Sequence, residues 1–352
     1  MSTVLFLATA AYGSPGGIQR FNRRLIAALR ELAPMHRVHL LHDEPESLPP
    51  YAAEVTAFGK KRLAFAGKSL GAARSARVLL LGHLNLLPIG WMARRINPRL
   101  KLILFAHGVE VWGDPAYRAR RFYEPRLLES VDTIAAVSRH TASRMSDQFA
   151  VPQRRFVILP NAVDALAPTA DLRPRHTVLA VSRMDKHDRS KNLDTLLRAF
   201  AMMPDSVTRL EIVGDGPLRP ELEALACALG IAARVRFLGR VSDEMLAACY
   251  ARAAVFVLPS TKEGFGIVYL EAWQHGVPVI CASGAPGEIV SDGVDGFVID
   301  PADIGQLAAR MSALLQDPVR AAEMGAAGAA KVRARYLDEH FRRNLASLLE
   351  TI

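Results

Sequence analysis

Two glutamates are the residues in this sequence whose type and spacing first suggest chemistry. Glu263 and Glu271 have seven residues between them in STKEGFGIVYLEAWQHGVPVI (260–280). Glycosidases use carboxylate pairs about 5–9.5 Å apart, whereas eight positions along a continuous helix span about 12 Å. A folded-back glycine loop would shorten that distance. The spacing favours carboxylates at opposite ends of an extended ligand, and a helix start with solvated glutamates is the structural alternative.

Two cations in the same half of the chain could hold an anion. Arg183 ends the apolar strand TVLAVSR, and Lys191 precedes the predicted helix NLDTLLRAF. An arginine fork and a lysine point charge at the carboxyl edge of a parallel sheet can bind a diphosphate. The N–H groups that begin a helix after EGFG can do the same. Residues 186–189 are interpreted as a solvated charged loop.

A glycine-rich turn, GSPGGIQRF (13–21), joins the strand TVLFLATAAY to a predicted helix. It lacks the GK[ST] ending of a P-loop, which argues against an NTPase of that kind. A turn that needs positive φ explains one glycine more readily than two. The presence of two glycines, Gly16 and Gly17, therefore needs an explanation beyond the turn.

Two histidines of the first half end predicted strands. His107 ends KLILFAH, with Glu110 one helical turn later, and His83 lies in LGHLN. A histidine at the end of a strand is usually structural. A core role therefore stays open for both, beside a catalytic role for His107 and an acceptor-binding role for His83.

Strands and helices alternate along the 352-residue chain, which is long enough for two domains of about 150–180 residues. Near-continuous apolar strands between amphipathic helices predict parallel sheets covered on both faces. The polar segment that begins NAVD is a predicted linker, and its Asn161 and Asp164 either line a cleft or shape the turn. We therefore predict Rossmann-like domains at 1–165 and 166–336, and the helix 337–352 is long enough to pack back on the first.

The formal net charge of +9 is concentrated in residues 1–165, which hold 23 Lys and Arg against 12 Asp and Glu. Of the 44 and 35 in total, 21 and 23 remain for the rest of the chain. Aromatic residues are few and no nucleic-acid motif accompanies the charge, so we predict an anionic substrate or phospholipid rather than nucleic acid. The three dispersed cysteines predict buried thiols. No signal peptide is apparent, which predicts a cytoplasmic or peripheral protein.

Several motifs together resemble the family 4 retaining glycosyltransferases of the GT-B fold. They are SRM…KN, VGDGP, FLGRV, PS…EGFGIVYLEA and GVPVI, with NAVD and AHGVE upstream, and they occur in the family's order and spacing. The resemblance covers nearly the whole chain, and the E-x7-E spacing is strong evidence for it. It implies an α/β protein with two Rossmann-like domains whose parallel sheets face a central cleft. The first domain would bind the acceptor and the second a nucleotide-sugar donor.

The resemblance also implies a role for each matching residue. His107 would lie beside the donor sugar and help to shape the transition state. Glu271 would bind the ribose hydroxyls, and Arg183 and Lys191 would hold the diphosphate. Glu263 would address the donor sugar together with the backbone of Gly264, Phe265, Gly266 and Ile267.

Further roles complete the implied site. Arg240 and Val241 would lie against the base, and Gly16 and Gly17 would bring backbone N–H groups to the diphosphate. The possible acceptor or cleft residues are His83, Glu110, Asn161 and Asp164.

The implied reaction moves a hexose from GDP-mannose or a UDP-sugar onto a hydroxyl, with retention at the anomeric carbon. No D-x-D triplet is present, and fixed cations with a helix N-terminus can stabilise the departing diphosphate, so we expect neither metal nor cofactor. Asn192 stands where many family members have glycine, and we expect it to cap the next helix. The alternative is a catalytically silent nucleotide-sugar or glycan-binding protein on the same fold. A dehydrogenase is disfavoured because VGDGP lacks the third glycine of the dinucleotide fingerprint.

Two basic stretches of the first half, residues 59–78 and 117–128, carry apolar side chains among their charges. Such stretches can lie on an anionic bilayer, and a solvated basic face is the alternative. Together they favour a lipid-linked glycan acceptor and peripheral association with a membrane. Their basic residues are Lys60, Lys61, Arg62, Lys68, Arg74, Arg77, Arg118, Arg120 and Arg121, and their apolar ones Leu63, Phe65, Leu70, Phe122 and Tyr123.

Overall fold

The computed structural model describes residues 3–13, 16–115, 117–166, 176–204 and 207–351. The chain divides into two compact units. Unit 1 comprises Met1–Asn161 and Asp338–Ile352, and unit 2 comprises Ala162–Leu337. The sequence predicts these divisions after residues 165 and 336. Most of the predicted linker, residues 167–175, lies outside the described residues.

Unit 1 is built on one parallel sheet. Its strands are β1 (Val4–Ala8), β2 (His36–Leu40), β3 (Val55–Ala57), β4 (Val78–Leu81), β5 (Lys101–Ala106), β6 (Thr133–Ala136) and β7 (Phe156–Ile158). The helices that precede unit 2 are α1 (Gly17–Leu32), α2 (Arg62–Ala73), α3 (Leu87–Ile96), α4 (Glu124–Leu128) and α5 (Arg139–Phe149). The seven strands are ordered β3-β2-β1-β4-β5-β6-β7, and every pair is parallel.

The central strands of unit 1 are apolar because helices cover both faces of the sheet. All five residues of β1 and all four of β4 are buried. Val4 of β1 lies in register with His36 of β2 and Val78 of β4. The chain moves outward from β1 to β3 and returns on the other side of β1 at β4. The order of the strands therefore reverses between β1 and β4, where open α/β sheets form a ligand-binding crevice.

Unit 2 repeats this plan with six strands. They are β8 (Thr177–Val181), β9 (Arg209–Val213), β10 (Val235–Gly239), β11 (Ala253–Leu258), β12 (Val279–Ala282) and β13 (Gly296–Ile299). The helices are α6 (Leu193–Ala201), α7 (Arg219–Ala228), α8 (Asp243–Arg252), α9 (Ile267–Gln274), α10 (Ala285–Ile289), α11 (Ile304–Gln316) and α12 (Pro318–Arg335). The strands are parallel in the order β10-β9-β8-β11-β12-β13. The order reverses between β8 and β11, so the crevice of unit 2 lies there.

The last helix, α13 (Asp338–Glu350), belongs to unit 1 and packs on α1. Phe341 meets Phe21 edge to face, with ring centroids 5.5 Å apart. Arg24 Nη1 lies 2.5 Å from Asp338 Oδ1 beside this contact. Burial of apolar side chains holds α13 in place, and the ion pair fixes its start.

The predicted fold class is confirmed for both units, each of which is a Rossmann-like parallel sheet between helices. Within the described ranges, no helix has the length and hydropathy that crossing a bilayer requires.

Candidate functional site

The crevice of unit 2 brings together the loops that follow β8 and β11. Arg183 and Lys191 lie in the first loop, and residues 259–266 form the second. Because β8 and β11 are neighbours in the sheet, two segments about 70 residues apart in sequence meet at one edge. This is the arrangement that the sequence predicts for the cations and the EGFG turn.

Hydrogen bonds of side chains and backbone tie these two loops together. Lys191 Nζ donates to Glu263 Oε2 at 2.5 Å, with both side chains largely buried. Thr261 N donates to Ser190 O at 2.8 Å, and Asn192 Nδ2 donates to Pro259 O at 2.7 Å. The positive charge of Lys191 is therefore held at the crevice and balanced there by a carboxylate.

Asn192 does not cap α6 with its side chain, so that expectation is wrong. The residue occupies the position before the helix, but its backbone is left-handed, with φ 55° and ψ 41°. Asparagine tolerates this conformation better than most residues, and glycine adopts it most easily. The backbone conformation thus explains why asparagine can stand where glycine is common.

Arg183 lies at the mouth of the same crevice with 75% of its side chain exposed. Its Nη2 is 3.4 Å from Oδ1 of Asp188, whose side chain is almost fully buried. Asp188 also accepts a hydrogen bond from Asp185 N at 3.3 Å. The interpretation of 186–189 as a solvated loop is therefore wrong for Asp188, which steadies the turn that carries Arg183.

The two glycines of VGDGP, Gly214 and Gly216, let their loop pack closely against the turn that carries Arg183. An added Cβ at Gly214 would collide with the carbonyl oxygen of Ser182, next to Arg183, and one at Gly216 with that of Met184. Met184 N donates to Asp215 O at 3.1 Å. The two loops pack backbone against backbone, which orients Arg183.

The EGFG segment is a loop and not the start of a helix. Gly266 has φ 91° and precedes α9, which begins at Ile267. Glu263 therefore lies four positions before the helix, and the 12 Å separation expected for a continuous helix does not apply. Gly264 and Phe265 are buried, and the ring of Phe265 packs against Tyr336 at 5.9 Å. The first N–H groups of α9 have no partner within the helix, so this edge favours an anion.

Glu271 lies within α9 and is oriented by a tyrosine. Tyr250 Oη donates to Glu271 Oε2 at 2.9 Å. The Tyr250 ring is buried and stacked on His275, with centroids 5.6 Å apart and an interplanar angle of 10°. Tyr250 is not predicted from the sequence. The usable signal is a hydroxyl group on a residue of α8 whose ring is buried.

Arg240 and Val241 directly follow β10, two strands away from β8 at the same edge of the sheet. Arg240 is exposed and Val241 is half-buried. Gly214 N donates to Gly239 O at 2.8 Å, which joins this strand end to the VGDGP loop. The structure thus places the two residues beside the loops of the crevice.

The crevice of unit 1 has Gly16 and Gly17 on one side, after β1, and His83 on the other, after β4. An added Cβ at Gly17 would meet no atom within 4 Å, and one at Gly16 would meet only the flexible end of Gln19 closely. Packing within the protein does not require a glycine at position 17. Ser14 and Pro15 of this turn lie outside the described residues.

Asp43, three residues after β2, shapes the loop that leads to these glycines. Its buried carboxylate accepts hydrogen bonds from the backbone N–H groups of Ala11, Tyr12 and Gly13 at 2.8, 2.9 and 3.0 Å. Sequence reasoning misses Asp43 too, although an acid directly after an apolar strand is a usable signal.

His107 ends β5, and its ring joins β5 to the end of β4. Nε2 lies 3.1 Å from Gly82 O, and the ring meets Phe21 edge to face at 4.7 Å. Burial lowers the pKa of His107, against the opposing effects of Glu110 and of the Gly82 hydrogen bond. The ring is therefore neutral near pH 7. Because a carbonyl can only accept, the proton is on Nε2 and Nδ1 is the basic nitrogen.

Glu110 is buried and serves the backbone. Its Oε1 accepts hydrogen bonds from His107 N at 2.5 Å and Gly108 N at 3.1 Å. His83 Nδ1 likewise accepts from Asn85 N at 3.0 Å. Burial lowers the pKa of His83 to about 4, with Glu110 opposing and His107 contributing. Both side chains hold turns that follow strands, and acceptor or cleft roles for Glu110 and His83 stay predictions.

Asn161 ends unit 1, and Asp164 lies near the start of unit 2. Gln274 Nε2 donates to Asp164 O, and Val163 forms a bridge with Leu337. The carbonyl of Asp164 therefore binds a side chain of α9, and cleft roles for Asn161 and Asp164 stay predictions. No cluster of three His, Cys, Asp or Glu that could hold a metal ion occurs in the part of the chain that the structure describes.

Two doubly wound parallel units of this kind define the GT-B class of glycosyltransferases. Solved structures share the fold over the full chain. Anabaena HepE in complex with UDP and glucose aligns with a TM-score of 0.82 at 22% identity, covering 100% of both chains. Sucrose-phosphate synthase from Thermosynechococcus elongatus aligns with a TM-score of 0.78 at 22% identity, covering 100% of this chain and 99% of that one.

The family follows from sequence matches. Residues 15–165 match the Glycosyltransferase Family 4 model, and residues 175–317 match Glycosyl transferases group 1. The chain is 36% identical over 262 residues to the GDP-mannose-dependent alpha-(1-6)-phosphatidylinositol monomannoside mannosyltransferase of Mycolicibacterium smegmatis, covering 68% of this chain and 67% of that one. It is 32% identical over 273 residues to the D-inositol 3-phosphate glycosyltransferase of Rhodococcus opacus, covering 68% and 59%. The chain belongs to the family 4 glycosyltransferases, which confirms the resemblance.

Proposed function

We propose that this glycosyltransferase moves mannose from GDP-mannose to a hydroxyl of a phosphate-bearing glycolipid, with retention at the anomeric carbon. The observation that carries the proposal is the crevice of unit 2, where Arg183, Lys191 and the start of α9 converge. Glu271 stands one turn further along the same helix. This set suits a nucleoside diphosphate, with cations for its phosphates and a carboxylate for its ribose.

The chemical difficulty of the reaction is the negative charge that builds on the departing diphosphate. Lys191 is held by its ion pair with Glu263, so little reorganisation of this charge accompanies charge development. Arg183 contacts Asp188 at the mouth of the same crevice, and most of its side chain stays exposed. Preorganised charges of this kind lower the barrier more than mobile ones do. They supply the stabilisation that a metal gives in other transferases, so the proposed reaction is metal-independent.

The residues of unit 1 complete the proposed chemistry. Gly16 and Gly17 present backbone N–H groups to the diphosphate. His107 is neutral and carries its proton on Nε2 toward Gly82, so Nδ1 accepts a hydrogen bond from a sugar hydroxyl. Retention then follows from attack on the face that the diphosphate leaves, and the leaving phosphate takes the proton of the acceptor hydroxyl.

The donor base is tested by thermal unfolding of the purified chain. The names of the relatives at 34–36% identity specify GDP-mannose, whereas the UDP-bound HepE structure, at 22% identity, shows the fold alone. We expect GDP to raise Tm by several degrees at saturation, because binding at 100 times Kd adds about 2.7 kcal/mol. ADP and UDP serve as matched nucleotides. A UDP shift equal to or larger than that of GDP would contradict the proposed donor.

The acceptor half of the proposal rests on two exposed apolar side chains of unit 1. Leu63, in the first turn of α2, is 91% exposed among Lys61 and Arg62. Phe122 is 94% exposed beside Arg121. Phe65, an apolar residue of the same basic stretch, is buried and therefore does not belong to a membrane-facing set. Arg118 is paired with the buried Glu124 and therefore does not belong to a membrane-facing set.

We expect the protein to co-sediment with anionic vesicles at low salt. Replacing Leu63 and Phe122 together with serine should weaken this binding about tenfold or more, because each apolar side chain adds about 1.5 kcal/mol when buried. Val319→Ser, at a 69% exposed position of unit 2, is the control and should change nothing. Wild-type protein that stays in the supernatant would remove the support for a membrane-borne acceptor.

A further inference from the structure

A surface cavity of about 630 Å³ lies on unit 1 between the edge of the sheet and α2. Arg37 and His39 of β2, Thr56 of β3, and Lys68 and Gly71 of α2 are among its lining residues. Apart from Lys68, which belongs to the basic stretch 59–78, no residue proposed for donor, acceptor or membrane binding is among its lining residues. Strands β2 and β3 stand on the outer side of β1, whereas the crevice lies between β1 and β4. The cavity is a separate feature of the fold.

The charge at this cavity is positive. Arg37 and Lys68 are both exposed. Their effect reaches His39, a buried residue whose Nδ1 lies 2.9 Å from Ser69 Oγ. Burial first, then Lys68 and Arg37, lower the pKa of His39 to about 4.

Glu54, the acidic residue among the lining residues, does not neutralise the positive charge of Arg37 and Lys68. The carboxylate of Glu54 is engaged by Arg30, with Nε 2.6 Å from Oε1, and lies 3.9 Å from His36 Nε2. Its charge is therefore directed to a neighbouring pair, and Arg37 and Lys68 remain beside the cavity.

The cavity also has room at its helical wall. An added Cβ at Gly71 would meet no atom of the protein within 4 Å. Gly71 lies in the interior of α2, where glycine costs about 1 kcal/mol relative to alanine. A larger side chain at position 71 would therefore extend into the cavity and not into the protein.

We propose that this cavity is a second anion site, which binds a phosphate group through the guanidinium of Arg37, the ammonium of Lys68 and the hydroxyl of Thr56. An arginine fork and a lysine point charge together are the usual protein partners of phosphate. The phosphate belongs either to a lipid headgroup or to a free anion. The site goes beyond the proposed transfer reaction, and its test needs no turnover.

The test compares two glycines of one helix. Gly71→Met fills the cavity, and Gly67→Met is the matched control, because Gly67 also has nothing within 4 Å of an added Cβ and does not line the cavity. Methionine is a good helix former, so both variants should fold. Equilibrium dialysis against labelled inorganic phosphate counts the phosphates bound per chain, and sedimentation with phosphatidylglycerol vesicles measures headgroup binding.

We expect wild type and Gly67→Met to bind one phosphate per chain more than Gly71→Met, since phosphate in the donor crevice is common to all three. Arg37→Met should weaken the additional binding about tenfold or more. With vesicles the comparison is with wild type, because Gly67 lies one helical turn from Leu63. Vesicle binding lost by both Gly71→Met and Arg37→Met, without a difference in inorganic phosphate, also supports the site and assigns it to a lipid headgroup. Equal phosphate binding by both glycine variants, with vesicle binding by Gly71→Met equal to that of wild type, would overturn the proposal.

Discussion

Replacing Glu271 with alanine is expected to weaken nucleotide-sugar binding about 100-fold. In the proposed complex this carboxylate accepts hydrogen bonds from two ribose hydroxyls, and hydrogen bonds to a charged group contribute about 1.5–3 kcal/mol each. The side chain is partly exposed on α9 and its loss opens no core, so the free energy of unfolding should change little. Isothermal titration calorimetry with GDP measures the affinity, and thermal unfolding checks the fold.

A second variant with a smaller expected effect and a control variant accompany the Glu271 experiment. Tyr250→Phe removes only the hydroxyl that orients Glu271, and a net loss of about 1 kcal/mol corresponds to an affinity about fivefold lower. Glu323→Ala, at an exposed position of α12, removes the same charge from unit 2 and should leave the affinity unchanged. Undiminished GDP binding by the Glu271 variant would contradict the assignment of the donor crevice.

Gly17→Val is expected to lower kcat at least about 100-fold while nucleotide binding stays largely intact. Its Cβ would meet no protein atom within 4 Å, so the variant should fold. The branched side chain should keep the N–H groups of this turn from approaching the diphosphate, which unit 2 binds. Losing one preorganised N–H contact to a developing anion costs about 100–1,000-fold in rate. Steady-state kinetics with GDP-mannose and GDP titration separate the two effects.

The matched control for this variant is Gly67→Val, another helical glycine with open space around its Cβ. It should retain the wild-type kcat, because it lies on α2, away from the crevice between β1 and β4. Full activity of Gly17→Val would return the glycine pair to the role of an ordinary turn.

The doubly wound fold could be predicted because its strongest signals are local. VLFLA of β1 and VLLL of β4 are buried throughout. Continuous apolar runs of this kind predict strands that are covered on both faces. The strands β3 and β13 carry no such run. VTA of β3 is only three residues long and lies at the edge of the sheet, and GFVI of β13 follows a loop and occupies the other sheet's edge. Short edge strands depend on their neighbours more than on their own pattern.

The candidate site divides in the same way. The two cations and the E-x7-E spacing can be recognised in the sequence, because residue type and position after a strand are enough to identify them. Asp43 binds backbone about 30 residues earlier in the chain, and Tyr250 reaches Glu271 from another helix. Positioning residues of this kind are defined by tertiary contacts, which no local pattern encodes.

Unit 1 is assembled from both ends of the chain, and the order of synthesis follows from this. The ribosome makes Phe21 early and Phe341 late, so all of unit 2 has been synthesised before these two rings can meet. Phe21 also contacts the ring of His107. During synthesis the ring of Phe21, which supports His107, therefore lacks its Phe341 partner until α13 has been made.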